Sequence, residues 1–201
     1  FTNNTVRYCI SENDGRANGF GGIHFWSSGS SGGIVGTKIY GNTVYNEYSH
    51  VVRFQNTSGQ SGTKIWNNIF ISGNGKALLT GSPSTTVAMF QGNCWYSING
   101  TYSIAGYSSL SAWRTAASQE MLSGSAVGMQ ADPKLTNPGN GGTIGDTTQL
   151  ATLTAYKLLD ASPCIDAGLD LSSQFSVNPG NQDFWGNTLP QGAAFDIGAH
   201  E

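Results

Sequence analysis

The sequence predicts an all-β chain wound as a right-handed parallel β-helix, with one short helix and an irregular C-terminal cap segment. Three observations carry the prediction. A motif recurs, an asparagine holds a fixed place in it, and glycine-rich corners separate its short apolar runs. Ile39-Tyr40-Gly41-Asn42-Thr43-Val44-Tyr45-Asn46 returns as Ile65-Trp66-Asn67-Asn68-Ile69-Phe70-Ile71-Ser72, and again as Phe90-Gln91-Gly92-Asn93-Cys94-Trp95-Tyr96-Ser97. An earlier copy is read at Phe1-Thr2-Asn3-Asn4-Thr5-Val6. A step of roughly 25 residues marks stacked repeats rather than a globule.

Each element follows from the alignment. Asn4, Asn42, Asn68 and Asn93 fall at one corner, where side-chain amides bond to each other and to the turning backbone. Asparagine also tolerates the left-handed conformation of such corners. Val6, Val44, Phe70 and Trp95 lie two residues later and are expected to stack inward. Ile39, Ile65 and Phe90 form a second inward ladder, and alternation turns Tyr40, Trp66 and Gln91 outward. A further strand aligns Ile23-His24-Phe25, Val52-Arg53-Phe54 and Leu78-Leu79-Thr80, placing His24 and Arg53 outside. A one-residue slip of the third copy would exchange its faces. Extra residues at Glu12–Gly19 and Ser27–Gly33 form protruding loops, and loops on a rigid scaffold commonly carry function.

About four rungs are expected over residues 1–105. Residues 106–201 are read as a helix and a capping tail of the same domain. Ser108-Ser109 offers an N-cap. Leu110, Trp113, Ala117 and Met121 recur at helical spacing, which predicts a helix over 109–122. It would lie on the stack or cover its end, where open core and unpaired backbone need a cap.

Composition narrows the function classes. Charged residues make up 10% of the chain and aromatics 11%, with a net charge of −3. This describes an ordered, water-facing β protein, since a disordered chain has few aromatics and high net charge. No basic patch suits a nucleic-acid partner, and no apolar run is long enough to span a bilayer. Phe1 begins in mid-pattern, so earlier rungs are expected upstream. Cys9, Cys94 and Cys164 lack metal-ligand spacing, and their odd number makes no disulfide framework. They are read as small packing residues that form no intrachain bridge. A calcium site needs several converging oxygens, and any site here would be assembled from distant loops.

The tail carries a family likeness. Asp132-Pro133-Lys134-Leu135, Tyr156-Lys157-Leu158 and Ser162-Pro163-Cys164-Ile165-Asp166-Ala167-Gly168 come in order. Asp183-Phe184-Trp185-Gly186-Asn187 and Phe195-Asp196-Ile197-Gly198-Ala199-His200-Glu201 follow. This succession resembles the C-terminal end of secreted bacterial right-handed parallel β-helix proteins. The resemblance implies an extracellular or cell-surface protein with a polysaccharide or glycan partner. Its superfamily includes polysaccharide lyases, glycoside hydrolases and noncatalytic surface β-helices. It also implies that the chain is the C-terminal portion of a longer protein. Cys164 stands where such proteins often have a small residue, which implies burial. Fold likeness does not establish a reaction.

Glu12-Asn13-Asp14-Gly15-Arg16, followed by His24, gathers two carboxylates, a guanidinium and an imidazole in a charge-poor chain. Glu47, His50 and Arg53 come one unit later, and stacked rungs could place all of them on one outward face. A glycosidase needs two carboxyl groups across the bond, one protonated and one ionised; Glu12 with Asp14 or Glu47 supplies them. A lyase removes a proton beside a uronate carboxylate, with His24 as base and Arg53 or Arg16 as the carboxylate clamp. The candidate catalytic residues are therefore Glu12, Asp14 and His24. The candidate substrate contacts are Arg16, Arg53, Glu47, His50 and Trp26, with Tyr40, Tyr45 and Trp66 as further ring faces. The plainer reading stands beside this one. Asp14-Gly15 is an ordinary turn signal, charges on a β-helix exterior are usually just solvated, and Trp26 and Trp66 equally suit packing under loops. Asp132, Asp166, Asp183, Asp196 and Glu201 sit beside Gly and Pro, where carboxylates satisfy turn N–H groups. Two functions go forward: a carbohydrate-active enzyme (lyase or hydrolase), and a noncatalytic glycan-binding or structural module. Convergence of the charged set in one cleft favours the enzyme, and scattering favours the module.

Overall fold

The computed structural model describes residues 1–29 and 32–201. Ser30 and Ser31, within the loop expected at Ser27–Gly33, lie outside the described residues. The chain is β-rich, and its main sheets are parallel. Its strands come in rotation. β1 (Thr5–Arg7), β2 (Ile10–Glu12) and β3 (Ile23–Phe25) are followed by β4 (Lys38–Tyr40), β5 (Thr43–Asn46) and β6 (Val52–Phe54). Next come β7 (Thr63–Trp66), β8 (Ile69–Ser72) and β9 (Leu79–Thr80), then β10 (Ala88–Gln91) and β11 (Cys94–Ser97). Every third strand pairs in parallel, giving a first sheet β1-β4-β7-β10, a second β2-β5-β8-β11 and a third β3-β6-β9. Parallel strands need long connections, and here the other two sheets supply them.

The register bears out the two inward ladders. Ile39 pairs with Ile65 and Ile65 with Phe90, while Val44 pairs with Phe70 and Phe70 with Trp95. These residues join Phe25, Val52 and Phe54 of the third sheet in one buried cluster. Its aromatics follow one another along the chain of repeats, Phe25 stacked on Phe54 at 4.1 Å and Phe70 tilted against Trp95 at 4.5 Å. Full burial of each large apolar side chain contributes about 1.5–3 kcal/mol.

The asparagine ladder runs through three of the four expected residues. Asn42 Nδ2 donates to Asn68 Oδ1 and Asn68 Nδ2 to Asn93 Oδ1, both at 2.9 Å. Asn4 does not belong to it. Ile10 pairs with Thr43, so Cys9 takes the ladder position, and its backbone N–H donates to Asn42 Oδ1 at 2.9 Å. Val6 correspondingly pairs with Ile39 instead of aligning with Val44. The Asn-Thr-Val identity belongs to two different strands of the repeat, and pairing obeys the corner rather than the letters. The third copy of the third strand also slips by one. Val52 pairs with Leu79, and Leu78 sits with Val51 at the buried corner before the strand.

α1 (Leu110–Ala117) is shorter than expected. Ser109 Oγ caps it by accepting from Ala112 N. Ser118 and Glu120 then enter the left-handed region, with φ of 53° and 52°. Non-glycine residues there carry strain, and here the twist turns Gln119 and Glu120 onto the end of the stack. Gln119 Oε1 accepts from Phe90 N at 2.9 Å and its Nε2 donates to Ala88 O at 2.9 Å, standing in for a strand beyond β10. Glu120 ends the ladder, accepting from Asn93 Nδ2 and Trp95 Nε1 at 2.8 Å each. Met121 leaves the helix for β12 (Met121–Leu122), which pairs antiparallel with β13 (Ser125–Ala126). β14 (Met129–Gln130) pairs with β11 and covers the edge of the second sheet.

Candidate functional site

The tail decides which outer faces remain open. Leu169, Leu171, Phe175 and Val177 cover the outside of the first sheet, with Phe175 stacked on Trp66 at 4.6 Å. Tyr40 Oη donates to Asn178 O at 3.2 Å, and Arg7 Nη1 donates to Pro179 O. Leu135, Tyr156, Leu158, Cys164 and Ile197 cover the outside of the second sheet, over Tyr45, Ile69, Ile71 and Cys94. Tyr40, Trp66 and Tyr45 therefore keep only 2%, 3% and 5% of their surface exposed. They are packing residues and present no ring face to solvent. The free thiols of Cys94 and Cys164 meet beneath this covering, which with general burial pushes the Cys94 thiol well up.

The outside of the third sheet carries His24, Arg53 and Thr80 in register. Here the loop of residues 13–20 folds back on the sheet. Gly15 lies so close to Gly21 that an added Cβ would stand 2.3 Å from its carbonyl oxygen, at a φ of +70° that side chains avoid. Phe20 N donates to Gly15 O at 3.0 Å, and Arg53 Nη1 donates to Gly19 O at 2.8 Å. These contacts lay Phe20 on His24, with centroids 5.0 Å apart and planes 18° from parallel. Phe20 stays 43% exposed and Trp26, beyond His24, 55% exposed. Burial first, and then the Arg53 charge, lowers the affinity of His24 for a proton. The same two causes, followed by Lys76, act on His50.

The charged residues expected to act together divide into groups. Glu12, Asp14 and Arg16 line one depression with Phe20, while His24 and Trp26 line the next with Phe20 and Gln55. Arg53, Glu47 and His50 line neither. Glu12 Oε2 accepts from Tyr156 Oη and from Gly141 N at 2.7 Å. Asp14 Oδ2 accepts from Ser11 Oγ at 2.7 Å, and Glu47 Oε2 accepts from Asn74 Nδ2 at 3.0 Å. The acids nearest the sheet are thus tied to neighbouring protein groups.

The tail carboxylates follow the turn-forming reading in detail. Asp183 accepts from the backbone N–H groups of Trp185, Asn187 and Glu201. Glu201 accepts from Gln191 and Asp196, and Asp166 from Ala194. Asp132 pairs with Lys134 at 2.9 Å. Among the described residues no group of three or more His, Cys, Asp or Glu side chains is placed to hold a metal ion. No helix among them is long and apolar enough to cross a membrane.

Sequence reasoning passed over Phe20 and Gln55. Phe20 had a signal, a lone aromatic among glycines in Asn18-Gly19-Phe20-Gly21-Gly22. Glu120 had none, because helical periodicity ran through it. No family model matches the chain, and no curated protein matches it in sequence.

Proposed function

We propose that the three sheets close into a right-handed parallel β-helix and that the chain is an extracellular glycan-binding module. Its binding face is the outside of the third sheet, where Phe20, His24 and Trp26 offer apolar faces to sugar rings. One observation carries the reading: the tail covers the outward aromatics of the other two sheets and leaves Phe20 and Trp26 in solvent, with His24 half-buried beneath Phe20. Aromatic rings supply apolar contact area with specific geometry, and Gln55 and Asp14 add groups that hydrogen-bond hydroxyls. The binding module is preferred to a hydrolase because Glu12 and Glu47 are engaged by protein donors. The outer edges of β1, β2 and β3 have no strand partner among the described residues, and further repeats of the same protein would pair there.

The test is a panel of polysaccharides assayed for binding, reducing ends and absorbance at 235 nm. Binding without new ends or unsaturated product is the expected result. Trp26→Ala should weaken it about tenfold, equivalent to about 1.4 kcal/mol, with no change in thermal midpoint. Unsaturated product would make the chain a lyase with His24 as base, and reducing ends alone would make it a hydrolase. Full binding by Trp26→Ala would remove this face from the function.

A further inference from the structure

We infer that the ligand is a linear, uncharged glycan of at least three sugar units, and that the C-terminal tail builds one end of its groove. The inference rests on the glycan-binding reading above and adds the charge, the length and a second wall. Three depressions share their walls in sequence. The first, about 420 Å³, lies between residues 12–18 and Gly142-Thr143 and ends at Phe20. The second, about 430 Å³, runs from Phe20 over His24 to Trp26. The third, about 440 Å³, continues from His24 and Trp26 towards Ser27, Ile34 and Phe1. Each falls in the size range of small-ligand sites. An occupant of all three is a chain, with one unit per depression as the minimum.

Charge selects the kind of chain. The charged side chains lining the groove, among the described residues, are Glu12, Asp14 and Arg16, all in the first depression. Two carboxylates against one guanidinium leave that end negative. Among the described residues the second and third depressions have no cationic side chain to meet a repeating acid group, and the Phe1 ammonium at the end of the third donates to the Gly33 carbonyl at 3.1 Å. Arg53, whose charge reaches His24, donates to the Gly19 carbonyl from outside the three linings. A polyuronate or sulfated chain would bring a negative charge with every unit or two, and like charges brought together cost binding energy. A neutral sugar instead lays C–H faces on Phe20 and Trp26 and offers hydroxyls to Asp14, Arg16 and Gln55.

The wall at Gly142-Thr143 is held from below. Glu12 Oε2 accepts from Tyr156 Oη and Gly141 N, and Tyr156 Oη in turn accepts from Gly139 N at 3.1 Å. The fit is close, since a Cβ on Gly141 would stand 2.7 Å from Glu12 Oε2 and 2.8 Å from the Tyr156 ring. Glu12 and Tyr156 are therefore positioning residues. They clamp the tail loop against the first repeat and set the far end of the groove.

The experiment titrates the protein with neutral gluco-, xylo- and manno-oligosaccharides of two and six units, and with an acidic hexagalacturonide, at low salt. Tryptophan fluorescence and calorimetry report binding. At least one neutral hexamer should bind ten or more times tighter than its dimer, and the acidic hexamer should bind more weakly than that hexamer. Tyr156→Phe should lower hexamer affinity severalfold and leave dimer affinity unchanged. Asp14→Lys, at an exposed site, should raise affinity for the acidic hexamer and tests the charge argument without touching the clamp. Tighter binding of the acidic hexamer, or equal binding of dimer and hexamer, overturns the inference and leaves the binding face standing. Silence from every oligosaccharide and from the parent polysaccharides overturns the glycan reading and this inference together.

Discussion

Glu120 is fully buried at the end of the asparagine ladder, and its carboxyl is pushed up from 4.5 to about 7, chiefly by burial. The donors Asn93 and Trp95 and the Arg114 charge act the other way without cancelling it. Tyr102 is the other titratable group facing it, and Glu120 contributes to raising the Tyr102 hydroxyl. Because the folded-state value exceeds the unfolded one, the stabilising contribution is complete below about pH 4.5. It is lost as the pH rises through about 7. A displacement from 4.5 to about 7, at about 1.36 kcal/mol per pH unit, corresponds to about 3 kcal/mol. Glu120→Gln keeps the shape and the acceptor for Asn93 Nδ2 and Trp95 Nε1, and it removes the titration. It also turns an amide towards Asn93 N, which donates to Oε2 at 3.3 Å, a small offset that does not depend on pH. Urea denaturation of both proteins between pH 4.5 and 8 is the assay. The stability difference should move by about 3 kcal/mol in favour of the variant as the pH rises. Glu201, raised to about 6, titrates with the same sign in both proteins and drops out of the difference. Parallel pH profiles for the two proteins would refute the burial argument.

Other expectations follow from the packing. Phe70→Ala should cost about 3–5 kcal/mol, and an unchanged denaturation midpoint would remove Phe70 from the core. Asn68→Ala strips acceptors from Asn42 and a donor from Trp66 O, and should cost about 2–4 kcal/mol. Asn4→Ala, outside the ladder and exposed, should stay within about 0.5 kcal/mol. Equal losses at the two positions would contradict the register of the first repeat. Exposed Cys9 should react with a thiol reagent in the folded protein, whereas buried Cys94 and Cys164 should react only after denaturation. A mass spectrum of unreduced protein containing a bridged peptide would contradict the free state of the latter pair.

The parallel pairing and both inward ladders were legible because a repeat writes the same local constraint several times. Apolar side chains at Val44, Phe70 and Trp95, and an amide at Asn42, Asn68 and Asn93, satisfy one geometry at successive copies, so alignment alone exposes it. The first copy misled for the same reason, since Asn4-Thr5-Val6 imitates a motif while Cys9 performs its role. Helical periodicity likewise ran past Ala117 because it carries no record of the left-handed turns at Ser118 and Glu120. Burial of the outward residues was decided elsewhere. Alternation turned Tyr40, Tyr45 and Trp66 away from the first core, and a tail more than a hundred residues distant closed over Tyr40 and Trp66. The same tail engaged Glu12 and left Phe20 and Trp26 uncovered. Local pattern determines which way a side chain leaves the backbone. Which protein groups meet it there depends on long-range packing, and so the candidate site emerged only in the tertiary structure.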